Sequence, residues 1–159
     1  MKSIMRLLLL PLLLLLLVAT KTIVARQCIT EERNALLDLK TNLKDAQGLL
    51  SSWRGLNCCS WLGVTCNNKT GHIIKLDLKN YNFSKKYALT GDINPSLVHL
   101  TRLTHLDLSF NDFGGASIPE FIGSLKSLRH LDLSSAGFGG KIPPQLGNFS
   151  ELKYLDISW

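Results

Sequence analysis

Three leucines at fixed spacing return along the chain, and their return constrains the fold more than any other feature. Leu103, Leu106 and Leu108 recur as Leu128, Leu131 and Leu133, then as Leu152, Leu155 and Ile157, at steps of 25 and 24 residues. Pro95, Pro119 and Pro143 recur independently at two steps of 24. Two registers that agree on one period define an internal repeat. Within each unit the Leu-x-Leu core reads as a short strand with alternate side chains in the core, while Gly and Pro turn the chain back. One such coil cannot bury its leucines alone, so coils must stack, strand beside strand, into a parallel sheet.

The fullest unit runs Leu100-x-x-Leu103-x-x-Leu106-x-Leu108-x-x-Asn111-x-Phe113, followed by Gly114, Gly115, Ile118 and Pro119. This is the leucine-rich-repeat pattern. It predicts an α/β-type solenoid with short parallel strands on its concave face. An earlier coil carries Leu76 and Leu78 in its strand and reaches Leu106 only after 30 residues, which places an insertion at residues 82–88. Tyr81 and Ala136 stand where that coil and the third would carry the asparagine. Asn111 alone keeps an amide able to satisfy backbone groups between coils, and the other two turns are expected to be less regular.

Ahead of the repeats, residues 1–25 read as a secretory signal peptide: Lys2 and Arg6 precede an apolar run from Leu7 to Val18. That run is shorter than the roughly 20 residues a spanning helix needs. Its removal lowers the formal charge from +6 to +3, with 15 basic residues against 12 acidic. The basic balance of the whole chain therefore does not point to nucleic acid. The four cysteines, Cys28, Cys58, Cys59 and Cys66, cluster near the new N-terminus and read as two disulfides in an exported chain. Zinc would need two spaced ligand pairs, and Cys58 and Cys59 are adjacent. Adjacent residues also sit too close for usual disulfide geometry, leaving 28–58 with 59–66, or 28–59 with 58–66.

Residues 30–44 predict one helix, with Thr30 as its cap, Glu31 and Glu32 at its positive end, and Leu36, Leu39 and Leu43 on one face. Gly48 is the expected stop. Trp53, Leu56, Trp61, Leu62 and Val64 crowd around the cysteines as an apolar centre. The reading divides the chain into a signal peptide at 1–25, a disulfide-stapled helical cap at 26–70, and three repeats plus the start of a fourth at 71–159. The final strand lacks a following coil, so a truncated chain is expected.

The cap from Glu31 to Lys40 and from Cys58-Cys59-Ser60-Trp61 to Cys66 resembles the N-terminal capping domain of plant-type leucine-rich-repeat proteins. Gly140-x-Ile142-Pro143 resembles the plant form of the repeat, in which a second sheet forms on the coil's flank. Cys58-Cys59 and the junction Thr70-Gly71-His72-Ile73-Ile74-Lys75-Leu76-Asp77-Leu78 resemble plant receptor-like proteins, most closely receptors for fungal ethylene-inducing xylanase. The resemblance implies disulfides 28–58 and 59–66, and for a full-length relative a longer ectodomain, one transmembrane helix and a short tail without a kinase. It implies recognition of an extracellular protein, peptide or glycan, with a co-receptor as further partner, at the cell surface. A secreted polygalacturonase inhibitor is the alternative within binding proteins.

His105-Leu106-Asp107-Leu108-Ser109 and its repeat from His130 to Ser134 place His, Asp and Ser on one strand face, the residue types of a hydrolase. Residues two apart on a strand project side by side, which is poor geometry for a hydrogen-bonded relay, and no oxyanion site accompanies them. No catalytic residue, metal or cofactor is expected. Stacked strands would instead align three columns: Asp77, Asp107, Asp132 and Asp156; Lys75, His105, His130 and Tyr154; and Lys79, Ser109 and Ser134. These form the candidate ligand-binding face, with Asp107 and Asp132 turned to solvent. A scaffold role for the Asp column, with ligand contacts in other coils, is the competing reading. Asn68, Asn82 and Asn148 open N-glycosylation sequons.

Overall fold

The computed structural model describes residues 27–159, so the expected signal peptide lies outside the described residues. The cap helix α1 spans Thr30–Asn42 and buries Ala35, Leu36 and Leu39. Its cap position is Ile29, one residue before the expected Thr30, and no side chain caps it. The helix also ends two residues earlier than its apolar spacing predicts. Asn42 turns its amide back to the Asp38 carbonyl, and β1 (Leu43–Lys44) leaves to pair antiparallel with Gly91 and Thr90 of the first coil. Gly48 plays no part in that stop: at φ 74° it opens a 3₁₀ turn over Leu49–Ser52, whose first two amides donate to Asp45.

Beyond this turn, Trp53 and Trp61 stack with ring centroids 5.6 Å apart, and each indole N–H donates to a backbone carbonyl. Cys28 is bonded to Cys58 and Cys59 to Cys66, with Cα separations of 5.3 and 5.4 Å. The apolar centre is smaller than the sequence implies, because Leu56 and Leu62 are exposed. A polar latch compensates. Glu32, 2% exposed, reaches Nδ1 of His72 at 2.7 Å and accepts the amide of Ile73 at 2.6 Å. The cap helix is thereby tied to the first strand of the repeats through two hydrogen bonds of one buried carboxyl group.

The cap also supplies a strand to the main sheet. β2 (Val64–Cys66) runs antiparallel to β3 (Ile73–Asp77), across a turn that contains the expected 70/71 boundary. After the short β4 (Thr90–Gly91), the sheet continues in parallel through β5 (His105–Asp107), β6 (His130–Asp132) and β7 (Tyr154–Asp156). Leu76, Leu106, Leu131 and Leu155 stand in register, as the repeat requires. On the opposite side of the coils lie 3₁₀ turns at Pro95–His99, Glu120–Ser124 and Pro144–Asn148. Gly123 sits where successive turns touch, and any β-carbon there would collide with the Gln145 backbone. The expected flank sheet is present as one parallel bridge between Ser117 and Gly139.

Asn111 does what its position predicts. Its amide donates to the carbonyls of Leu78 and Leu108, and its Oδ1 accepts the Leu89 amide at 2.9 Å, joining two coils. It does not act alone, as the sequence reading had it. Asn80, one residue before the expected position, is buried and donates to Phe110 and Ser84 carbonyls at 3.0 and 2.9 Å. The amide has moved by one place, just ahead of the insertion. Nor is the third coil's turn irregular: Ser135 at φ 49° matches Phe110 at φ 60°, and backbone groups bridge Phe113 to Ala136.

Candidate functional site

The strands align the three predicted columns. Lys75 pairs with His105, His105 with His130 and His130 with Tyr154; two residues on, Asp77, Asp107, Asp132 and Asp156 follow the same register. The columns differ sharply in what they leave available.

Two of the carboxylates are covered on the face they project from. Asp107 and Asp132 are each only 7% exposed, which corrects the expectation that they face solvent. The reason lies two residues along. The Ser109 amide and hydroxyl donate to Asp107 Oδ1 at 2.9 and 2.6 Å, and Ser134 does the same to Asp132 at 3.0 and 2.6 Å. Asp156 repeats the bracket with Ser158, whose bonds hold its carboxyl below the usual carboxylate range. Ser109 and Ser134 are themselves buried. Alternation along a strand predicts the direction of a side chain, but an Asp-x-Ser bracket folds a lid over it. The bracket closes each of these strands at its end.

Asp77 lacks a serine partner and takes a different set. Lys75 Nζ lies 3.1 Å away and the Tyr81 hydroxyl donates at 2.9 Å. Burial pushes the Asp77 carboxyl up, but those two bonds, with the Lys75 charge and the Lys79 backbone amide, together leave the group lowered. The same hydrogen bond pushes the Tyr81 hydroxyl up to about 12. Lys79 projects over the Phe110 and Tyr81 rings at 5.2 and 5.9 Å, a cation held by aromatic faces.

The remaining column is a stack of rings. His105 and His130 lie 4.0 Å apart at 11°, and His130 and Tyr154 lie 4.2 Å apart at 4°. Burial, then the neighbouring His130 and Lys75, hold His105 below its ordinary pKa. A neutral imidazole suits a packed ring better than a charged one.

Two chemical alternatives can be tested against this geometry. Ser109 donates directly to Asp107, so no histidine lies between them as a general base would. His105, Asp107 and His130 bring potential ligand atoms within 4.8 Å of one another. An imidazole binds a metal in its ring plane, and two nearly parallel planes 4.0 Å apart share no in-plane point. With Asp107 already bonded to Ser109, this trio fits a stacked surface better than a coordination site. The sequons of Asn68, Asn82 and Asn148 are all exposed, in the β2–β3 turn, the insertion and the end of a 3₁₀ turn.

The sequence reading missed the Asp-x-Ser bracket, although Ser two places after Asp in three coils is its visible signal. It also overlooked His72 and Glu32 as partners, because 40 residues separate them.

Residues 29–67 match the family described as leucine rich repeat N-terminal domain, and residues 94–118 and 127–149 match leucine rich repeat families. The chain is 47% identical over 124 residues to receptor-like protein EIX2 of Solanum lycopersicum, a match covering 74% of this chain and 12% of that protein. It is 43% identical to receptor-like protein EIX1 of the same plant, covering 82% of this chain and 14% of that one. The chain thus spans about an eighth of the length of these relatives. Among solved structures, the ectodomain of the Arabidopsis receptor kinase HAESA, in complex with an extended IDA peptide hormone, superposes with a TM-score of 0.69 at 32% identity. That match covers 80% of this chain and 20% of the other. Cap, repeat and sequence agree: the chain belongs to the leucine-rich-repeat receptor-like proteins of plants.

Proposed function

We propose that the chain forms part of an extracellular recognition surface, and that the ring column of His105, His130 and Tyr154, with Lys75 and Lys79 beside it, is the part of the strand face that touches a partner. One observation carries this reading: the rings of His105, His130 and Tyr154 form a continuous stack along the strand face, while Asp107, Asp132, Ser109 and Ser134 beside them are buried. Stacked aromatic faces with cations at their edge offer rigid contact area at little entropic cost. A peptide or glycan fits such a ribbed surface better than a small molecule. Disulfides, sequons and the family place this surface outside the cell. By analogy with the peptide complex of the HAESA ectodomain, a peptide is the first ligand class to try. A co-receptor would add a second partner, and membrane attachment and signalling belong to a longer relative.

The test is selection of binders from a displayed peptide library and a glycan array against the secreted chain, followed by His130→Ala and Tyr154→Ala. Loss of the selected binders in both variants, with unfolding temperatures close to the parent's, supports the reading. Binders that ignore both substitutions, or no binder from either class, would overturn it.

A further inference from the structure

One groove lies beside the strand face, not on it. It has a volume of about 540 Å³ and lies at the N-terminal ends of the strands, where each coil turns in toward the sheet. Thr104 and Arg129 line it as the residues just before β5 and β6. Arg102 and Ser127 stand at one repeat position, and Lys126 lies next to the latter. Arg102 comes from one coil and Lys126 and Arg129 from the next, so two successive coils share the channel, and each cation has a hydroxyl residue at the equivalent position of the other coil: Ser127, Thr101 and Thr104.

Charge sets this groove apart from the strand face. There Lys75 is paired with Asp77 at 3.1 Å. In the groove, Arg102 and Lys126 form no salt bridge among the described residues, and Arg129 meets a single carboxylate, Glu151, at 3.6 Å. The remaining walls are the hydroxyls of Thr70, Thr104 and Ser127, the Asn67 amide, the His72 ring and Ile74. Several of these groups are held in place: Lys126 Nζ donates to the Gly123 carbonyl, Thr104 to Ile74 and Ser127 to Thr101. The backbone amides of Arg129 and His130 both bond to the Thr104 carbonyl, fixing one coil against the next.

We propose that this groove binds an acidic oligosaccharide, a chain of carboxylated sugar rings, at a site distinct from the ring column. Uncompensated cations recruit carboxylates. The fixed hydroxyls and the amide match the hydroxyls of a sugar. Coils stacked about 4.8 Å apart bring the cations of two adjacent levels within reach of one short chain of sugar rings. An acidic peptide would call for apolar subsites between the charges, and Ile74 is the one aliphatic residue in the lining.

The secreted chain is titrated calorimetrically with galacturonate oligomers, their methyl esters, poly-glutamate and inorganic phosphate. The acidic oligomers should bind, more weakly as salt rises, and the neutral esters should not. Replacing Arg102, Lys126 and Arg129 together by Gln should weaken binding by roughly tenfold or more. Glu151→Gln should tighten it, a gain that misfolding cannot mimic, so the proposal stays testable even if the triple variant is unstable. Tyr154→Ala should leave it unchanged, which separates this site from the strand face. Esters bound as well as acids, poly-glutamate or phosphate bound as tightly as the oligomer, or a folded triple variant with parental affinity would each overturn the proposal.

Discussion

At one end of the sheet, β3 has β2 of the stapled cap along its outer edge; at the other, β7 pairs with β6 alone among the described residues. Equivalent residues fare differently at the two ends. Leu76, Leu106 and Leu131 are fully buried, whereas Leu155 in the same register is 46% exposed. The sequence position is the same, so the burial belongs to the neighbouring coil and not to the residue. Stability in such an array is a sum of coil and nearest-neighbour terms, and the cap is the neighbour that completes the first coil.

The largest expected effect comes from breaking that equivalence directly. Leu131→Ala should destabilise by roughly 2 to 5 kcal/mol, because the cavity opens between two packed coils. Leu155→Ala should cost about 1 kcal/mol or less, since half its surface is already wet. Denaturant unfolding of the two variants measures the difference, and equal losses would show that β7 is as well covered as β6.

Removing the staples sharpens the other end. Replacing Cys28 and Cys58 by Ala opens a closure with a sequence separation of 30 and should cost about 3.6 kcal/mol. The Cys59–Cys66 closure, with a separation of 7, should be worth about 2.4 kcal/mol. Thermal unfolding of each double variant tests the order, and a reversal would mean that chain entropy does not govern the cap. Next in size, Asp132→Ala should destabilise by about 1 to 3 kcal/mol by stranding the Ser134 donors in a buried site. Asp156→Ala, exposing the equivalent Ser158 donors to water, should cost clearly less.

The Asp132 prediction marks where sequence reasoning stops. The leucine period identifies the coils, their register and the core because hydrophobic spacing is read directly from the chain. The alternation rule also sends Asp107 and Asp132 to the correct face, but it says nothing of Ser109 and Ser134 closing over them. Asn80 displaces the expected amide by one residue, and Leu56 and Leu62 lie outside a cap centre that composition alone would fill. The basic groove is not legible in the repeat, because Arg102, Lys126 and Arg129 sit just ahead of the strands and at positions the repeat does not equate. Each miss is a short-range polar arrangement, which spacing does not encode.

The smallest effect is one of pH. His105 titrates below its ordinary value of 6.5, so the unfolded chain binds this proton more readily than the folded one. Its contribution to stability is complete above pH 6.5 and declines as pH falls through the lowered folded value. The groups around it also act: His130 and Lys75 lower the value, and Asp77 and Asp107 raise it. His105→Phe, keeping the ring stack, should flatten that part of the melting temperature profile. A profile unchanged by the substitution would remove His105 from the account.

Native-state hydrogen exchange tests most directly the claim that neighbouring coils, and not the repeat sequence itself, create the core. The amides bonded across β3, β5 and β6 should exchange only with global unfolding, those of β7 should exchange much faster, and the gradient should run away from the cap. Uniform protection from β3 through β7 would contradict it.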